Sequence, residues 1–309
     1  MDFAIELDRI VKRYRTHLAL DGVSFQMGRG VTGLLGPNGA GKSTLIKILL
    51  GLMRATSGSG RILGRDIAKQ WRAIRSLVGY MPEDDCYIPG MSGVEMVRYS
   101  ASLCGMPALE GLRRAHEILD FCGMGQERYR HVETYSTGMR QKLKFAQAIV
   151  HDPELLILDE PTSGLDPEER VAMLNRVRTL VVKQGKRALV STHILPDVRQ
   201  VCDDVVILAR GRVTLCSSME EVDRPDQAGL FIKTLEPIRA FADALARKYP
   251  VELQGETELF VAADHEGLEQ ELWLLSSETQ VLIESIYPRT NSLEAVFINA
   301  VKETRDANS

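Results

Sequence analysis

The chain has 309 residues, 44% of them hydrophobic and 26% charged, the balance of an ordinary globular protein with room for one large or two modest domains. Its net charge of -4 is unevenly spread: residues 229–309 hold 7 Lys/Arg against 14 Asp/Glu (-7), leaving 31 against 28 (+3) in the first 228. Neither part has the basic excess of a nucleic-acid binder, and five cysteines with no C-x-x-C pair argue against a zinc site or a disulfide framework and fit a reducing compartment.

The N-terminus is charged from its second residue, without a signal-peptide apolar core, and no apolar run approaches the roughly 20 residues that span a bilayer. If the protein works at a membrane, something else must cross it. "AIELDRIVKRY" and "VSFQM" alternate as strands. "VTGLLG" reads as a short buried strand running into a glycine-rich turn and then the helix "KSTLIKILLGL". From Ser92 to about His151 the pattern is helical, with "LLILDE" after it as a buried parallel strand. A helix over 167–184 leads to the strands "RALVST", "DVVILA" and "RVTLC". Strands alternating with helices predict an α/β core with a largely parallel sheet over 1–222, interrupted by a helical insertion at about 92–151.

A polar, Pro- and Gly-bearing stretch at 223–228 reads as a linker. Beyond it, residues 229–309 read as strand, helix, two strands, helix, strand, which predicts a small α+β domain of ferredoxin-like order. Its first helix gathers Ile238, Phe241, Ala242, Leu245 and Tyr249 on one face. A last amphipathic helix with Leu293, Val296, Phe297, Ala300 and Val301 is expected to pack on its own domain.

"GPNGAGKST" fits G-x-x-x-x-G-K-S/T between a strand and a helix. In such a loop the glycines let successive N–H groups of Gly36, Pro37, Asn38, Gly39, Ala40, Gly41, Lys42, Ser43 and Thr44 (proline excepted) curl around a phosphate chain, aided by the helix dipole. Lys42 would reach the β- and γ-phosphates and Ser43 would ligand Mg2+. Two carboxylates ending an apolar run add Asp159 for the metal and Glu160 as general base toward water. No Asn is followed by Lys, so the guanine motif N-K-x-D is missing and ATP is the expected nucleotide. "HVETYSTGMRQKL" opens another helix, with small Ser136 and Gly138 leaving its N–H groups open.

A P-loop, then Y-S-x-G-M heading a helix, then "LLILDEPTSGLD", then a His after a strand is an order that resembles ABC-type ATPases. The likeness is to ATP-binding subunits of bacterial ABC exporters with a separate permease. It is strong over 1–220 and weak beyond. The resemblance implies that Ser136, Thr137, Gly138 and Met139 form the signature that grips ATP bound to a second copy of the chain. It implies Tyr14 stacking on adenine, His193 touching the γ-phosphate, and Ser163–Asp166 crossing the dimer interface near Glu160. It also implies an integral membrane permease as partner and a place on the cytoplasmic face of the cell membrane.

Two departures stand out. Tyr135, Thr137 and Met139 replace three residues of the common L-S-G-G-Q signature, and Glu83 in "YMPEDD" replaces a glutamine of the metal side. A carboxylate can bind metal or accept a hydrogen bond but cannot donate as an amide does. The competing reading is a soluble ABC-type ATPase acting in DNA repair or on ribosomes. One P-loop, and only 93 residues between Lys42 and Ser136, leave no room for a long coiled coil plus the core. Three roles stay open for the C-terminal domain: holding two ATPases together, regulating them, or packing on the core.

Overall fold

The computed structural model describes residues 3–224, 228–263, 265, 267–289 and 291–306. Pro225, Asp226 and Gln227 of the expected linker, and the Val301 side chain, lie outside the described residues. The chain divides into two compact units, one running to Met219 and taking in the stretch from Phe297, the other Glu220–Val296. The division falls inside the last helix, Leu293–Asp306.

The first unit opens with the hairpin β1 (Ile5–Tyr14) and β2 (His17–Met27), then β3 (Gly30–Leu35), α1 (Lys42–Leu49), β4 (Ser57–Ile62), β5 (Arg65–Asp66), α2 (Trp71–Arg75) and β6 (Val78–Met81). The helical stretch follows as α3 (Gly93–Leu103), α4 (Ala108–Phe121), two 3-10 turns over Gln126–Tyr129 and Val132–Thr134, and α5 (Thr137–Ile149). The chain returns through β7 (Leu155–Asp159), α6 (Pro167–Gln184), β8 (Arg187–Thr192), α7 (Leu195–Val201), β9 (Asp204–Ala209) and β10 (Arg212–Ser218), and α8 (Met219–Asp223) starts at the last residue before the division.

Local chemistry sets these limits. Ser92 and Glu95 form a reciprocal capping box that starts α3. Asp166 accepts the Glu169 N–H at 2.8 Å, Pro167 supplies the first helical φ, and Gly185 at φ +66° ends α6. The central sheet runs β10-β9-β3-β8-β7-β6, parallel except for β10. In its register Leu35 lies beside Thr192, Asp159 beside Ser191 and Met81 beside Leu158. The carboxyl ends of four strands therefore stop at one level, where open α/β sheets bind ligands.

A second sheet, β2-β1-β4-β5, is antiparallel. Ile5, Leu20 and Phe25 of that sheet, Leu45 and Ile46 of α1, and Leu34, Leu155, Leu189 and Leu208 of the central sheet share one buried core. The phosphate-loop helix is thus clamped between two sheets. Two thiols, Cys122 at the end of α4 and Cys202 after α7, are buried, and burial pushes Cys122 up to about 12; Cys86, Cys104 and Cys216 are exposed.

The second unit contains β11 (Leu230–Thr234), α9 (Arg239–Leu245), β12 (Val251–Leu253), β13 (Glu258–Val261), α10 (Leu268–Thr279) and β14 (Ile283–Pro288), and the last helix is α11. Its antiparallel sheet runs β12-β13-β11-β14, the strand order of a ferredoxin-like domain. Ile238, Phe241, Ala242 and Leu245 are buried against Ile232, Leu259 and Val261, with Tyr249 packed partly on them. No described helix is long and apolar enough to cross a membrane.

Candidate functional site

Leu35 ends β3 and the next six residues form the loop into α1. A side chain on Gly36 would come within 2.3 Å of the Leu208 carbonyl, and one on Gly41, held at φ +109°, within 2.7 Å of the Ala19 carbonyl. Only glycine fits either position. Gly41 caps α1 with no side-chain hydrogen bond, and the first turn carries no acidic residue, so its N–H groups stay free for an anion. Lys42 is buried, and its ammonium donates to the Gly36 carbonyl at 2.6 Å and the Pro37 carbonyl at 3.4 Å.

Asp159 closes β7 and is almost fully buried. Burial pushes its carboxyl above the usual range, the nearby Glu83 and Glu160 charges push the same way, and Lys42 opposes them. Glu160 has left the strand at φ +49°, a left-handed conformation that is strained for a residue with a side chain. Its N–H donates to the Ser191 carbonyl at 2.9 Å. One carboxylate oxygen lies 2.9 Å from His193 Nδ1 and the other accepts from the Thr192 hydroxyl at 3.4 Å. The strained turn aims the carboxylate at the residue following β8.

These groups meet in one cleft of about 440 Å³ lined by Tyr14, Asn38 to Thr44, Glu83, Asp159, Glu160 and His193. Gly36 and Pro37 shape the loop without lining the cleft. Tyr14, 39% exposed at the end of β1, is steadied by its hydroxyl on Met53 Sδ and by the Lys12 ammonium 5.1 Å from its ring. His17 and Ala19 also line the cleft. Nothing in their spacing marks them: they arrive because the hairpin pairs His17 with Tyr14.

Ser136, Thr137, Gly138 and Met139 do not line this cleft. Ser136 caps α5 by accepting the Met139 N–H at 3.3 Å. A side chain on Gly138 would come 2.1 Å from the Glu169 carboxylate, which Lys142 holds at 2.9 Å. Gln141 donates to the Ser163 carbonyl at 2.9 Å, tying α5 to the Ser163–Asp166 loop. Thr162, before that loop, is fully buried and donates to buried Asp197 on α7, which also lies 3.6 Å from Arg170. Sequence reasoning missed Glu169, Thr162 and Asp197, whose partners are distant in the chain.

Among the described residues no three His, Cys, Asp or Glu converge on a ready-made metal centre. A hard divalent ion bound by one or two carboxylates and by substrate phosphates does not need one. Two carboxylates and a hydroxyl beside a phosphate loop, with Asp159 already resisting its charge, fit such an ion.

The sequence pattern of the ABC transporter family matches residues 20–163, from β2 to the Ser163 loop. The chain is 36% identical to an uncharacterised ABC transporter ATP-binding protein of Bacillus subtilis, over 74% of this chain and 75% of that one. It is 31% identical to the Nod factor export ATP-binding protein I of Ralstonia nicotianae, over 98% and 95%. Among solved structures, cbiO1 of Clostridium perfringens, part of an ABC transporter complex, superposes at TM-score 0.65 with 27% identity, over 72% of this chain and 91% of that one. The fold, the cleft at the phosphate loop and these likenesses agree: the chain belongs to the ABC transporter family, as an ATP-binding and ATP-hydrolysing subunit.

Proposed function

We propose that two copies of this chain close around two ATP molecules and, by hydrolysing them and reopening, drive a separate integral membrane permease in export. The observation that carries this reading is the Glu160–His193 contact at the mouth of the phosphate loop. Tyr14 stacks on adenine. The loop from Gly36 to Thr44 takes the phosphates on its N–H groups, and Lys42 turns its ammonium from the Gly36 carbonyl toward the β- and γ-phosphates. Ser43, Asp159 and Glu83 hold Mg2+, which neutralises charge on the phosphates when bound. Glu160 accepts a proton from the attacking water, and His193 holds that carboxylate and faces the γ-phosphate.

Ser136, Thr137, Gly138 and Met139 serve the partner copy's ATP; that none of them lines this chain's own cleft supports that assignment. The surface from Glu83 to Met91, with Tyr87, Ile88 and Met91, receives the permease and so holds the chain at the cytoplasmic face of the membrane. Export is supported by the relative named for Nod factor export. A separate permease is supported by the relative that is part of a transporter complex.

Glu160→Gln tests both halves. ATP binding should persist while turnover falls by about 10²–10⁴-fold, leaving an ATP-closed dimer, because a general base contributes about that much. Near-normal turnover would remove Glu160 from the role. Purified from membranes, the same variant should bring an integral membrane protein with it; ribosomes or DNA in its place would overturn the transport reading.

A further inference from the structure

Residues 82–91, between β6 and α3, contain no helix or strand, yet they carry Glu83 into the cleft. Three carboxylates follow one another there, Glu83, Asp84 and Asp85, and the first of them adds its charge to the burdened Asp159. A loop so charged and so poor in internal bonds needs an external hold to keep Glu83 in place. One face of α5 provides it. Arg140 and Lys144 are one helical turn apart, at i and i+4. Arg140 pairs with Asp85 at 2.9 Å, and its guanidinium lies 5.5 Å from the Tyr87 ring.

Lys144 goes deeper. It is 4% exposed, and its ammonium donates to the Glu83 carbonyl at 2.6 Å and the Pro82 carbonyl at 3.1 Å. A buried ammonium is costly unless its N–H groups are used, and these two carbonyls take two of the three. The grip is on the main chain of Glu83, not on its carboxylate. It fixes where the residue stands and leaves the side chain free to face the cleft.

We propose that Lys144 is a positioning residue for Glu83, its ammonium locking the Pro82–Glu83 main chain and so setting the carboxylate beside Asp159. The inference rests on the reading that puts Glu83 on the metal side of the site. Its wider meaning lies in the helix. Lys144 stands eight residues after Ser136, about 12 Å along α5 at the helical rise of 1.5 Å per residue. One rigid element therefore joins this copy's metal-side loop to the residues that face the partner's ATP.

The test is a double-mutant cycle on the ATP-bound protein, read as the Mn2+ Kd by electron paramagnetic resonance and, beside it, as basal kcat. Lys144→Met keeps the apolar stem and removes the donors. It should weaken Mn2+ binding roughly tenfold, the usual scale for losing a group that orients a metal ligand, with ATP affinity little changed. Glu83→Ala should weaken it at least as much. The double variant should be no worse than Glu83→Ala, because Lys144 then has nothing left to position. Multiplicative losses would overturn the proposal and reduce Lys144 to a fold contact. A loss in Glu83→Ala with none in Lys144→Met would overturn it alone. An unchanged Kd in Glu83→Ala would remove Glu83 from the metal and overturn both readings. Should Lys144→Met fail to fold, Lys144→Leu, which likewise fills the site without a donor, is read in the same way.

Discussion

Helices α1 and α5 each begin with a glycine-bearing turn, and they are built on opposite terms. Neither α1 nor α5 has an acidic residue in its first turn. At α1 the cap is Gly41, without a side-chain bond, and the obstacles to a larger residue at Gly36 and Gly41 include the main-chain carbonyls of Leu208 and Ala19. At α5 the cap is the Ser136 hydroxyl, and the obstacle at Gly138 is the far end of the Glu169 side chain. Backbone cannot move aside, whereas a carboxylate can turn away if Lys142 releases it. The same residue type is thus dictated by a rigid wall in one place and by a yielding neighbour in the other.

The widest separation of the two helix starts comes from a mixed dimer carrying Lys42→Ala in one copy and Gly138→Asp in the other. If α5 serves the partner's ATP, both lesions fall in one composite site and one nucleotide is trapped per dimer. No trapped nucleotide, with dimerisation verified, would place the signature in its own copy's site and erase the contrast. Next in size is Gly36→Ala. Forcing a methyl against the Leu208 carbonyl should cost about 1–3 kcal/mol of overpacking. Because the strain falls on the phosphate loop, ATP affinity should drop with the melting temperature.

Gly138→Ala should be milder, since Glu169 can swing away at the cost of its part-buried pair with Lys142, about 1 kcal/mol. Adding Glu169→Ala should restore the melting temperature. If nucleotide trapping recovers with it, Gly138 was needed for Glu169; if trapping stays low, the bare backbone itself is needed by the phosphate. The smallest effect belongs to Ser136→Ala, which loses a helix cap and should destabilise the isolated chain by about 1 kcal/mol in denaturant titration. Ser136→Thr should keep most of that.

The comparison also separates what can be read along the chain from what cannot. Helix α6 and strands β8 and β9 have the residue limits the pattern predicts, because Asp166-Pro167, Gly185 and unbroken apolar runs are local signals. Strand β4 escaped: its "SGSGRI" is mostly exposed and has no apolar alternation, and only its pairing with β1 and β5 makes it a strand. Strand β6 is only four residues long, too short for a period to declare itself. At the site, the P-loop and the Asp159–Glu160 step are local too, and the cleft gathers them with Tyr14, Glu83 and His193. Glu169 and Lys144 went unread because each acquires its meaning from a residue 31 or 61 positions away, as in the Gly138 and Glu83 contacts. Sequence spacing carries no trace of such a meeting.

The distribution of thiols turns the chain into its own unfolding clock. Exposed Cys86, Cys104 and Cys216 should take up an alkylating reagent at once, whereas Cys122 and Cys202 wait for an opening. Cys122 marks the helical stretch, Cys202 the end of α7 beside the central sheet, and Glu220–Val296 holds no cysteine at all. Mass spectrometry of a timed labelling reaction would therefore date the loosening of the two parts of the first unit separately, in the unaltered protein, while the second unit stays silent. Equal rates at Cys122 and Cys202 would mean that the helical stretch and the sheet come apart together; an earlier Cys122 would mean that the stretch bearing Ser136 lets go first.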